Sequence, residues 1–314
     1  MRRIVVIIGT DRRPQGDRTI EPSTSEQPTR RRRDFTLIAA GYLAATAAAA
    51  ATVLLLDAHP LMQVLVANVV ATVVIFACSL VTRNSSFYDA YWSVAPPLAA
   101  LYLIFTPGDA IALRQVLVAA VILLWAIRLT GNWAYGWLGF AHEDWRYRDL
   151  AAAAGRLWWP LSFLGIHLFP TLMVYAGCIA LYPALVAGNE PLGWLDGLAL
   201  LAGIASVWLE FTADRSLYRF RASRSSPAEV LTTGVWAWCR HPNYLGEIGF
   251  WVSLFLFGYA AWGAVYPWSW LGPVSMAALF LVVSIPMIER KLAADKPAYA
   301  AYRKRTRMLI PGVL

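Results

Sequence analysis

The sequence predicts an all-α membrane protein, a polytopic bundle of about seven to eight transmembrane helices, on three observations. Of 314 residues, 59% are hydrophobic and 15% charged, where an ordinary soluble domain carries about 25% charged residues. The mean hydropathy is +0.51. The apolar residues gather in runs of about 20, the length that crosses a hydrocarbon layer of roughly 30 Å at about 1.5 Å per helical residue. These runs lack the period-two alternation of barrel strands. Backbone amides in lipid must also be satisfied within the segment, so each run is read as a helix.

Residues 1–34 are rich in Arg, Pro, Ser, Thr and Glu and read as a disordered basic tail. The apolar stretch Ile4 to Ile8 is too short for a signal-peptide core. Arg30 to Arg33 are expected to meet anionic headgroups. Eight apolar segments follow, at about 35–56, 61–82, 91–106, 112–131, 160–188, 194–212, 245–265 and 270–288. The third is the shortest and contains Pro96 and Pro97. A transmembrane bundle is therefore placed at 35–288 and a cytoplasmic amphipathic basic tail at 289–314.

This arrangement sorts the charge. Of 27 Lys and Arg, 26 fall on one side and only Arg114 on the other. The positive-inside rule then puts both termini in the cytoplasm of an integral membrane protein. The net charge of +8 is accounted for by this flanking distribution, so nucleic acid is not an expected partner. Cys78, Cys178 and Cys239 are far apart and form no CxxC pair, which indicates neither a disulfide framework nor a zinc cluster. The four histidines are scattered, and no metal is expected. No internal repeat is visible, which argues against inverted-repeat transporter folds.

Ionisable groups at span edges carry more information than the plentiful interfacial aromatics, because they are costly in lipid and tend to face a cavity. One cluster is Asp89-Ala90-Tyr91-Trp92. Another runs from Arg128 through Asn132 to Glu143-Asp144-Trp145-Arg146-Tyr147-Arg148, whose plain reading is a solvated loop with local salt bridges. A third is Glu210, Asp214, Arg215, Arg219 and Arg221. On a continued helix Glu210, Asp214 and Arg221 share one face. That face could hold an adenine, ribose and phosphate set, or could equally be a helix-end salt-bridge ladder. The densest signal is Arg240-His241-Pro242-Asn243-Tyr244-Leu245-Gly246-Glu247. Pro242 disfavours helix at His241, so a helix is expected to begin after it, with Asn243 placed for capping and Glu247 in the first turn. Free amides at that start make an anion site. Finally, Glu289-Arg290-Lys291, Tyr299, Tyr302, Arg303, Arg305 and Arg307 form either a surface helix or a clamp over phosphate.

The octapeptide from Arg240 to Glu247 resembles the signature of the steroid 5α-reductase C-terminal superfamily, in the bacterial subgroup of domain-of-unknown-function 1295 proteins. The resemblance runs over roughly residues 60–314 and is also related to isoprenylcysteine carboxyl methyltransferase-like enzymes. It implies a helical bundle in a bacterial inner membrane, holding NADPH in a cytoplasm-facing cavity and taking a lipid substrate from the bilayer. Carried over residue by residue, Asp214 and Arg221 are similar to positions that hold the adenosine and its phosphates, and Arg128, Asn132 and Glu210 are further cofactor-binding candidates. His241, Asn243 and Tyr244 resemble those lining the rest of the cofactor, Arg303 and Arg305 are similar to basic tail residues near it, and Arg240, Glu247 and Tyr302 complete the cofactor-binding candidates. Glu210 stands where steroid reductases tend to have Asn. Trp125 replaces the Tyr that polarises an enone, which argues against a steroid 3-ketone. The implied reaction is NADPH-dependent reduction of a carbon–carbon double bond in a steroid- or isoprenoid-like lipid, with Asp89, Tyr91 and Tyr244 as candidates for polarisation or proton delivery. The chief alternative is an S-adenosylmethionine-dependent membrane methyltransferase; a third is a lipid-binding protein without catalysis.

Overall fold

The computed structural model describes residues 26–311, and among these every regular element is helical. Seven helices are long and apolar enough to cross a membrane. They lie in α1 (Glu26–Leu55), α2 (Pro60–Thr82), α4 (Ala112–Gly136), α5 (Trp145–Ala187), α6 (Trp194–Ser223), α7 (Pro242–Trp262) and α8 (Leu271–Asp295). The expected third span is α3 (Tyr91–Phe105), which at 15 residues falls short of that length. A short α9 (Tyr299–Arg305) follows α8. Large apolar side chains face outward along these helices, among them Leu54, Val81, Ile127, Leu201 and Val282. A water-facing surface would not carry so continuous an apolar cover. The chain is an integral membrane protein.

Three expectations change. Residues 26–34 are the first turns of α1, and Arg31 donates to the Trp137 carbonyl at 2.8 Å and the Ala134 carbonyl at 3.0 Å instead of facing headgroups. The expected disorder of residues 1–25 lies outside the described residues. The 143–148 stretch is not a solvated loop: Asp144 is buried, caps the start of α5 by accepting from the Arg146 amide, and pairs with the Arg146 guanidinium at 2.9 Å. The basic tail begins inside α8, which runs continuously to Asp295.

The chain divides into two compact units, one built from the chain up to Trp92 with Trp133–Leu172, the other from Ser93–Asn132 with Met173 onward. In the first, Phe87 stacks on Phe140 and its carbonyl accepts from the Tyr42 hydroxyl at 2.9 Å. Buried hydroxyls of Thr72, Thr171 and Tyr88 bond in sequence, and His167 bonds Ser79 and the Ser162 carbonyl. Such closed polar chains suit a dry interior, where an unpaired hydroxyl costs about 1–3 kcal/mol.

In the second unit, α6 and α7 pack so closely that a Cβ on Gly246 would lie 2.4 Å from Glu210 Cγ and 2.9 Å from the Ser206 carbonyl. Only glycine permits that approach. Trp125 of α4 stacks on Phe250 of α7 at 4.3 Å. Arg114 and Asp196, at the starts of α4 and α6, form a buried bidentate pair at 2.6 and 3.1 Å. The one basic residue assigned to the opposite side is thus neutralised inside the fold.

Candidate functional site

Within the second unit, α4 and α6 bring Arg128, Asn132, Glu210 and Asp214 together, and α7 adds Glu247. The helical spacing decides this: Arg128 and Asn132 are four apart, as are Glu210 and Asp214, so each helix presents both residues on one face. Arg128 pairs with Glu210 and with Asp214 at 2.7 Å, and Glu247 is 3.7 Å away. Asn132 donates to Asp214 at 3.2 Å. Glu247 is itself held from below by two indoles, Trp125 at 3.0 Å and Trp251 at 3.1 Å. Trp125, which stands where the resemblance expects a Tyr, thus holds Glu247, and Trp251, one helical turn after Glu247, is a site residue absent from the sequence expectations.

Three carboxylates surround one guanidinium here. The set is acceptor-rich, and two of its buried atoms, Arg128 Nε and Glu210 Oε1, have no partner among the described residues. In a low-dielectric interior an unpaired polar atom of this kind is expensive. Arg221 lies on the same helix seven residues beyond Asp214, as expected from the continued α6.

The Arg240 to Glu247 segment divides into two parts with different partners. Glu247 and Gly246 belong to the cluster just described. Arg240 and His241 turn instead to Glu289 of α8, at 2.8 and 3.1 Å. Arg303 reaches the same carboxylate at 3.4 Å. Arg240 also donates to the Thr306 carbonyl at 2.5 Å, and the amides of Arg240 and His241 bond the Arg307 and Met308 carbonyls. The Tyr302 hydroxyl donates to the Trp236 carbonyl at 2.5 Å. These contacts clasp the C-terminal segment against the start of α7. Burial holds the His241 imidazole below its usual value, against the opposing pull of Glu289. The helix begins at Pro242, as expected, but Asn243 is its second residue and not its cap; His241 occupies that position without a side-chain capping bond. Tyr244 stacks between His241 and Phe280 at 5.6 and 4.4 Å. Arg305 is exposed on a groove of about 400 Å³ with Arg303 and Lys304.

Within the first unit, Asp89 accepts from the Tyr147 hydroxyl at 2.8 Å. Desolvation, followed by the nearby Asp144 carboxylate, pushes the Asp89 carboxyl up to about 7. The Ser85 amide donates to Glu143 at 2.7 Å, and the Asn84 side chain donates to the Phe140 and His142 carbonyls, fixing the turn that carries Asp89. Tyr91 is buried, its ring edge-on to Tyr42. Tyr147 belongs to the 143–148 cluster named from sequence, but its pairing with Asp89 is not legible there, because the two are 58 residues apart.

A model of the family described as "Protein of unknown function (DUF1295)" matches residues 75–306. A relative from Schizosaccharomyces pombe, the uncharacterized protein C594.04c, is 27% identical over 281 residues, covering 81% of this chain and 80% of its own. No solved structure matches.

Proposed function

The chain belongs to the DUF1295 family, part of the steroid 5α-reductase-like group, and from that premise we propose that it is a membrane-embedded, NADPH-dependent reductase of a carbon–carbon double bond in a steroid- or isoprenoid-like lipid. The observation that carries this reading is the acceptor-rich cluster on Arg128, with Arg128 Nε and Glu210 Oε1 left without partners among the described residues.

The donor set of NADPH fits these residues. An adenosine offers an amine and ribose hydroxyls, which are donors, and Glu210, Asp214 and Glu247 are acceptors. Asn132 can serve in either sense. Phosphates require cations, and Arg221 on the same helix has the planar fork that pairs with oxyanions. In this reading Glu210, Asp214 and Asn132 hold the nucleoside, Arg221 the phosphates, and Arg128 orients the carboxylates. When bound, NADPH supplies a hydride to the electron-poor carbon of the double bond. The neighbouring carbon then takes a proton from a general acid, and Asp89 is our candidate for that role on its own chemistry. A carboxyl titrating near 7 is protonated in about half the molecules at neutral pH and so can act as a general acid. Tyr147 orients it. Reduction is accordingly expected to fall as pH rises through about 7, and Asp89→Asn to lose about 10²–10⁴ in rate. A pH-independent rate with Asp89→Asn at full activity would remove the assignment.

The distribution of Lys and Arg supports an orientation with both termini cytoplasmic; placement in a bacterial inner membrane rests on the resemblance alone. One observation favours a second reading. Three carboxylates against one guanidinium also suit a ligand that carries positive charge, such as the sulfonium of S-adenosylmethionine, and so a methyltransferase. Titrating the purified protein with each ligand while following thermal unfolding separates the two. NADPH at about 100 times its Kd should stabilise by about 2.7 kcal/mol. Stabilisation by S-adenosylmethionine alone would reverse the assignment.

A further inference from the structure

We propose that the groove between the last turns of α6 and the 224–234 segment binds the phosphodiester headgroup of an anionic glycerophospholipid. The groove measures about 380 Å³ and is lined by Phe211, Arg215, Arg219, Phe220, Leu231 and Thr233 among others. Arg215 and Arg219 are one helical turn apart and both exposed, so their guanidinium groups stand side by side at its edge. Among the described residues neither has a carboxylate partner, whereas Arg114, Arg128, Arg146 and Arg240 each pair with a named acid. Arg215 lies 5.7 Å from the Phe211 ring centroid, which fixes its stem along the helix.

Three features select a lipid phosphate. The groove continues an outward apolar stripe on the same helix, through Leu201, Ile204, Trp208 and Phe211, spaced three and four residues apart. An acyl chain can follow that stripe while its headgroup meets the arginines. The 224–234 segment that supplies Leu231 and Thr233 is tied down just before them: Lys296 donates to the Glu229 carbonyl at 2.6 Å, and the Ser226 amide donates to the Glu229 carboxylate at 2.7 Å. Two planar guanidinium forks match the two free oxygens of a phosphodiester. The site is distinct from the Arg128 cluster, because Glu210 and Asp214 of the same helix are engaged with α4. It does not depend on the reductase reading.

The test is native mass spectrometry of the full chain released from mixed micelles of phosphatidylglycerol and phosphatidylcholine in equal amounts. The wild type should retain phosphatidylglycerol preferentially, and Arg215→Gln/Arg219→Gln should lose about tenfold of it. Arg156→Gln/Arg290→Gln removes two exposed charges from elsewhere and should retain lipid as the wild type does. Equal loss in both double variants would mean diffuse surface attraction and overturn the proposal. So would displacement of the lipid by an equal concentration of inorganic phosphate, which would make this a free-anion site. Should the groove variant fail to fold, arginine modification of the wild type by phenylglyoxal decides instead. Arg215 and Arg219 should be protected by phosphatidylglycerol and not by phosphatidylcholine, with Arg290 reactive in both. Unchanged reactivity of Arg215 and Arg219 would sink the proposal.

Discussion

The second unit holds two clusters of charge built from similar side chains in opposite proportion. Around Arg128, three carboxylates share one guanidinium, and two buried atoms lack partners. Around Glu289, two arginines and a histidine share one carboxylate, and the spare donors of Arg240 end on backbone carbonyls of the C-terminal segment. The second arrangement is closed, with each charged group spent on the protein. The first is open. The difference lies in the balance of charge: carboxylates outnumber the cation in the first cluster and cations outnumber the carboxylate in the second, while buried atoms without a partner among the described residues occur in both, Tyr299 Oη in the clasp as well as Arg128 Nε and Glu210 Oε1.

The sharpest way to break this comparison is Arg128→Met. It leaves three carboxylates crowded without their cation, and should cost about 3–5 kcal/mol in unfolding free energy, read by denaturant titration in detergent. A loss smaller than that of the Glu289 variant below would show that the open cluster is not held by its arginine. Next, Gly246→Ala drives a methyl against Glu210 Cγ and the Ser206 carbonyl. Overpacking of this kind costs about 1–3 kcal/mol, and should weaken NADPH binding more than it lowers the melting temperature, because Glu210 itself is displaced. Smallest in global terms is Glu289→Gln. It should cost about 1.5–3 kcal/mol locally, releasing the 299–311 segment as faster hydrogen exchange while the main unfolding midpoint barely moves. The clasp should also loosen with acid. Burial holds His241 below its ordinary value of 6.5, so the unfolded chain binds the proton more readily. The associated stability is present above about pH 6.5 and is lost as pH falls below it. Exchange rates in 299–311, corrected for intrinsic rates, should therefore rise from pH 7.5 to 5.5, and the change should vanish in His241→Asn.

Much of this was legible along the chain where the partners share a helix. Glu210, Asp214 and Arg221 announce one continuous helix face, and Trp251 stands a turn from Glu247. The Asp144-Trp145 step also had the form of a helix cap, yet the charge around it read as a loop. What spacing along one helix does not encode is which distant residue answers. Arg128 meets acids 82 and 86 residues away, Arg240 meets Glu289 across 49, and Tyr147 meets Asp89 across 58. Arg240 and His241 read along the chain as ligand donors, and the acceptor that the structure gives them, Glu289, lies on another helix.

The buried pair at the far end of α4 and α6 has a mechanical consequence. Arg114 to Arg128 and Asp196 to Glu210 are both separations of 14 residues, so two ion pairs bolt the helices at matching heights, about 21 Å apart at 1.5 Å per residue. Sliding one helix past the other by a single turn, about 5.4 Å, would shear both bolts at once. These helices can rock about one another but cannot ratchet. Any movement a ligand provokes at the Arg128 end must reach the Arg114 end as leverage.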